Sequence, residues 1–149
     1  MRKLLAVLLL SSLSFSATPG GGAEYVGGTL GDFKVGLKGQ LYTSNRTQFY
    51  FATKGGSFAI PYDKINLVEY GQNVSRRYIE AVVISPLFLM AKSRTHFMTV
   101  GFVDERGDQQ AAVFRVDKKA IRTMLVSLEA RTGVKVTFQD EEARKAGKG

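Results

Sequence analysis

The chain has 149 residues, 21 basic and 13 acidic, a formal net charge of +8 and no cysteine. The missing cysteine excludes disulfides, thiolate nucleophiles and cysteine metal sites. A single histidine, His96, with no HExxH spacing, excludes the usual zinc chemistries as well.

Arg2 and Lys3 precede an unbroken apolar run at residues 4–10, and the small residues Ser11, Ser12, Ser14, Ser16 and Ala17 follow. That order of positive, apolar and small is the pattern of a secretory signal peptide. The run is too short to cross a hydrocarbon core of ~30 Å, which needs ~20 residues as a helix. Ser14-Phe15-Ser16 fits cleavage before Ala17, and Gly21-Gly22-Ala23 fits cleavage before Glu24. Residues 1–23 therefore read as a signal peptide and a Gly-rich lead-in, and the destination as periplasmic or extracellular. With Arg2 and Lys3 removed, 19 basic residues face 13 acidic ones, a charge of +6. A basic surface favours acidic partners, and export argues against nucleic acid as that partner.

The next segments alternate with period two. Phe33, Val35 and Leu37 alternate with Lys34, Gly36 and Lys38, and the pattern resumes at Leu41. Ser44-Asn45-Arg46 is a turn signal, and residues 47–53 form an aromatic-rich strand. Lys54-Gly55-Gly56 is a tight turn, and residues 57–60 begin a third strand that Pro61 bends or places at an edge. An extended apolar segment then continues from Ile65 to Gly71. Residues 96–103 and 110–116 form a later hairpin around the turn at residues 104–108.

After Val116 the period changes. Asp117 is a candidate N-cap, its carboxylate accepting from first-turn amides. Ile121, Met124, Leu125 and Leu128 recur at helical spacing, and Gly133 stands where a left-handed C-terminal glycine belongs. The pattern predicts a helix over 118–132 with one face on the sheet, then a short strand through Val134, Val136 and Phe138. Residues 24–139 form one domain, and residues 140–149 a charged tail expected to fray.

Two antiparallel meanders followed by one amphipathic helix resemble the pleckstrin-homology-like split barrel, also used by GRAM domains. The resemblance is carried by Gly39-Gln40-Leu41-Tyr42 leading to Phe49-Tyr50-Phe51, by Ile60-Pro61-Tyr62-Asp63-Lys64-Ile65 leading to Val68-Glu69-Tyr70-Gly71, and by the later hairpin and its helix ending in Leu128-Glu129-Ala130-Arg131-Thr132-Gly133. It covers residues 29–138. It implies a mainly β (α+β) fold: a split antiparallel β-barrel of about seven strands capped by a C-terminal α-helix. It also implies a binding module for phosphoinositides or protein segments. In lipid-binding members a basic loop between the first two strands grips the ligand; here the corresponding loop, Ser44-Asn45-Arg46, has one cation.

Residues 81–90 form an uncharged run containing Pro86, flanked by Arg76 and Arg77 before and by Lys92 and Arg94 after. Such a run packs inside the fold, meets a protein partner, or enters an anionic leaflet with its cations on the phosphates. Arg76, Arg77, Leu87, Phe88, Leu89, Lys92 and Arg94 are the candidate contact residues. A protein partner or self-association is the favoured reading, with an anionic membrane surface as the other.

Catalytic signatures are sparse. There is no GxSxG, no phosphate-binding Gly-rich loop with its Lys-Ser/Thr, and no partner for His96 legible in the sequence. Asp104, Glu105 and Asp108 share a turn but lack the ligand count of a calcium loop. No cofactor or metal is implied, and no catalytic residue is assigned. The expectation is a non-catalytic exported binding or scaffolding module. The alternatives are a small carboxylate-dependent enzyme, for which Glu69 and Glu80 are the available acids, and a structural subunit of an envelope complex.

Overall fold

The computed structural model describes residues 20–73, 83–84 and 95–148. Gly21, Gly22 and Ala23, read as part of the Gly-rich lead-in, begin a strand, β1 (Gly21–Gly28), in the middle of the sheet. It pairs antiparallel with β2 (Leu37–Tyr42) on one side and β8 (Gln109–Val116) on the other. Glycine usually weakens a strand, but two of these have a reason to lack a side chain. The Asp117 carboxylate lies where Gly22 would carry a Cβ, and Ala111 O and the Tyr25 hydroxyl crowd Gly28, whose φ is +150°.

The rest of the first meander is β3 (Gln48–Thr53) and β4 (Gly56–Pro61), followed by a 3-10 turn (Tyr62–Lys64) and β5 (Ile65–Gly71). Val83–Ile84 forms a two-residue strand, β6, on Gly27–Gly28 of β1. The later hairpin is β7 (Phe97–Val103) and β8, and it leads into helix α1 (Lys118–Thr132). A final short strand, β9 (Val136–Phe138), lies parallel to β5.

Eight strands run in the order β4-β3-β2-β1-β8-β7-β5-β9, with β6 beside that path. The fold is mainly β, as the patterning implied; among the described residues it is one mixed sheet with two helices, where an all-antiparallel arrangement and one helix were expected. The expected barrel is not found, because the ladder is open at β4 and β9 among the described residues. The reason is local. β9 occupies the edge of β5 that β4 would need, and Pro61 ends β4 and has no N–H to donate.

The sheet nevertheless curls so that its halves face each other. Phe58 of β4 meets Phe102 of β7, with ring centroids 5.8 Å apart. Phe49 and Phe51 of β3 meet Phe114 of β8 at 6.2 and 5.1 Å. The core fills this space with Tyr25, Leu41, Ile60, Val68, Tyr70, Met98 and Val100, and α1 adds Ile121, Met124, Leu125 and Leu128. These four helical residues are the ones marked by the sequence period. Phe97 and Val113 are also buried, on the opposite face of β7 and β8, so both strands are apolar on two sides.

Three local expectations are corrected. Phe33 and Val35 are partly buried core residues, but they lie on turns ahead of β2: Gly36, at φ +90°, donates its N–H to Tyr25 O at 2.8 Å. Asp117 caps α1 without a side-chain hydrogen bond; its backbone carbonyl accepts from Ala120 and Ile121, and its carboxylate leans on Gly22 instead. The charged end expected to fray is helix α2 (Glu141–Lys148), with Ala143 and Gly147 buried. Small residues four apart make one face flat enough to lie on Phe138 and Tyr70.

Candidate functional site

The loop from β2 to β3 is held by its own side chains. Asn45 Oδ1 accepts from the Thr47 N–H at 2.8 Å, the Thr47 hydroxyl at 3.0 Å and the Gln48 N–H at 3.0 Å. This side-chain turn closes the loop and leaves Arg46 exposed at its tip. Tyr62, in the 3-10 turn just after β4, anchors the loop from below: its buried hydroxyl lies 3.2 Å from Thr43 O and 3.3 Å from Asn45 O. Burial raises the Tyr62 pKa, with the Arg131 charge pulling the other way, so the phenol keeps its proton and donates to these carbonyls.

Arg131 reaches the same place from the last turn of α1. Its guanidinium carbon lies 5.6 Å from the centroid of the Tyr62 ring, a cation–π distance. The helix end is fixed by Gly133 in the left-handed region and by the Thr132 hydroxyl, which donates to Leu128 O at 2.7 Å. Between loop and helix lies an open groove of about 490 Å³, lined by Arg46, Gln48, Pro61, Tyr62, Asp63 and Arg131 among others. It presents two guanidiniums, one carboxylate, and an aromatic face. Such a lining suits an acidic group held by charge-assisted hydrogen bonds.

Two further recesses differ in character. One of about 470 Å³ is lined by Tyr25, Thr29, Leu30, Phe33 and Val35 and is largely apolar; burial pushes the Tyr25 phenol up to about 12, with the Leu30 backbone hydrogen bond acting in the opposite direction. The other lies on the outer face of β2, β1 and β8, where Glu24 sits between Lys38 and Arg115 in register and forms an ion pair with Arg115.

Arg76, Arg77, Leu87, Phe88, Leu89, Lys92 and Arg94, the contact residues expected from the sequence, all lie outside the described residues, as does Glu80. The other acid considered, Glu69, is buried on β5, and its Oε1 accepts from Gln139 Nε2 at 3.3 Å. His96 is buried, with its Nδ1 2.6 Å from the Tyr70 hydroxyl. Asp104 holds its own hairpin: Oδ1 accepts from the N–H groups of Arg106 and Asp108, both at 2.9 Å, and Oδ2 from Gln110 at 2.8 Å. No group of three or more potential metal ligands occurs among the described residues, and no helix among them is long and apolar enough to cross a membrane.

Sequence reasoning identified Arg46 as the cation of a short loop and Arg131 as the end of the helix, without bringing them together. Only the return of α1 across the curled sheet does that. The available signal was Tyr62, an aromatic just past Pro61 at the edge of a strand. No protein-family model matches this chain, and no curated protein matches it at a significant level.

Proposed function

We propose that the chain is an exported, non-catalytic binding module on the pleckstrin-homology-like plan, and that it engages a protein partner through acidic groups. The observation that carries this reading is the groove between Arg46 and Arg131. Its walls are fixed by hydrogen bonds, its cations come from two separate elements, and it holds one carboxylate, Asp63. Two supporting features are the meander and the hairpin leading into α1, which follow the order the resemblance implies.

An anionic membrane surface is the competing ligand. Residues 74–94 carry Arg76, Arg77, Lys92 and Arg94 against the single acid Glu80, so they contribute half of the +6 expected after export. The two readings separate by which cations matter. The chain from Ala17 is tested against a labelled hexaglutamate peptide by fluorescence anisotropy, and against neutral and anionic vesicles by co-sedimentation, each at low and high salt. The proposal expects salt-sensitive peptide binding that Arg46→Gln and Arg131→Gln abolish together. Pelleting with anionic vesicles, lost on Arg76→Glu and Arg77→Glu and unaffected by the groove substitutions, would overturn it in favour of the membrane.

A further inference from the structure

The groove opens at one end of a free strand edge. Among the described residues β4 pairs only with β3 and stands at the end of the sheet. Its pairing parity is fixed by the Tyr62 N–H, which donates to Thr47 O at 3.0 Å. In an antiparallel ladder the bonded positions alternate, so Ile60 and Phe58 bond inward to β3. Ser57, Ala59 and Pro61 therefore turn their backbone groups outward. Pro61 fits this rule, since the N–H it lacks would have pointed to solvent. The outward row holds two N–H groups, at Ser57 and Ala59, and three carbonyls.

From this arrangement we infer that the ligand is an extended acidic peptide segment that adds to β4 as a further strand and places an acidic side chain in the groove between Arg46 and Arg131. The inference rests on the binding reading above and specifies its ligand. Main-chain bonds to an open edge supply affinity without demanding a sequence, and the groove supplies the preference for acid. Charge selects the occupant. Lys54 lies at the hairpin end of β4, and Arg46, Lys64 and Arg131 lie around the other, with Asp63 the one acid beside them; Lys54, Lys64 and Arg46 are all exposed. A second copy of this chain pairing through β4 would set these cations against themselves, and an acidic strand neutralises them. At about 3.3 Å per residue, the outward row accommodates roughly five residues of partner strand.

The test keeps the chain from Ala17 and uses three synthetic probes. The first is a peptide of alternating Val and Thr ending in three Glu. The second is the same peptide with alternate amides N-methylated, which cannot donate to the edge. The third carries Gln in place of Glu. The expected result is binding of the first, weakened about tenfold or more for the other two, since each removes several hydrogen bonds or charge contacts. Ala59→Pro removes an outward N–H without touching the bonds to β3, and is expected to reproduce the N-methyl effect with an unchanged circular dichroism spectrum. Equal binding of the parent and N-methylated peptides would overturn edge addition while leaving the groove as an acid site. No binding of any acidic peptide would overturn both readings. A concentration-dependent dimer of the free chain, broken by Ala59→Pro, would overturn the acidic peptide as occupant and replace it with a second copy.

Discussion

The Tyr70 hydroxyl and His96 Nδ1 lie 2.6 Å apart inside the protein, and their rings stack with centroids 5.9 Å apart and planes 18° off parallel. Burial raises the Tyr70 pKa, with the Arg122 charge opposing that rise and Asp140 adding to it, so the phenol stays protonated. A protonated phenol donates to Nδ1 when His96 carries its proton on Nε2, and accepts from Nδ1–H in the other tautomer. The pair ties β5 to the start of β7, whose outer neighbour β8 leads into α1. In either tautomer Tyr70→Phe leaves Nδ1 buried without this partner, which is expected to cost about 1–3 kcal/mol. Urea unfolding of the two chains, compared at one pH, measures that difference. A change near zero would place the pair among contacts that add nothing to stability.

The same histidine makes stability depend on pH. Its pKa is lowered, first by burial and then by the charges of Lys118 and Arg122, below the usual 6.5. The unfolded chain therefore takes up the proton at a higher pH than the folded one. Stability is full above about pH 6.5 and declines as the pH falls through that value toward the folded pKa. The carboxylates of Asp104 and Glu129, whose pKa values are held low chiefly by backbone N–H groups of Asp108 and Val136, act in a separate and more acidic window. Urea midpoints measured through the two windows should show two steps. His96→Gln should remove the upper step and leave the lower one.

The place of β1 sets an expectation for processing. Gly21, Gly22 and Ala23 pair with Leu41, Gln40 and Gly39, and the Asp117 N–H donates to Gly22 O at 2.9 Å at the start of α1. Cleavage before Glu24 would strip these three residues from a central strand. Cleavage before Ala17 would leave them all. Under the export proposed above, intact mass measurement of the processed chain is expected to give Ala17 as its first residue. A chain begun at Glu24 is expected to melt well below one begun at Ala17. Equal melting points would mean that these pairs contribute nothing.

How far the sequence is legible follows from what each residue has to satisfy locally. The helix α1 is legible to its ends because its apolar period and Gly133 act within the element itself. The strands β7 and β8 are legible because apolar side chains dominate both, buried from Phe97 to Phe102 in one and from Ala111 to Phe114 in the other. The strand β1 is not, because its glycines answer to distant groups, the Asp117 carboxylate and Ala111 O, and in sequence alone they look like a linker. The open ladder is hidden for a similar reason: which strand takes the edge of β5 depends on where the chain returns after α1. The groove joins a loop tip to a helix end, and period and composition say nothing of their distance.

Helix α2 provides the sharpest test of a residue whose local and tertiary preferences conflict. Gly147 lies in its last turn, and glycine costs up to about 1 kcal/mol relative to alanine in a helix interior. For a free helix in water, Gly147→Ala would therefore increase helicity. In the folded protein an added Cβ would lie 2.6 Å from the Phe138 ring and 3.1 Å from the Tyr70 ring. Phe138 is also covered by the Lys148 ammonium, and Arg122 Nε donates to Ala146 O at 3.2 Å, so the helix is tied to β9 and α1 around that contact. Packing is expected to win. Gly147→Ala should speed amide exchange across residues 141–148 and expose Arg144 and Lys145 to trypsin, and Gly147→Val should do so more strongly. Exchange within α1 and the sheet should stay as in the parent chain. Slower exchange in α2 on Gly147→Ala would mean that helix propensity governs the segment and that its packing against Phe138 contributes little.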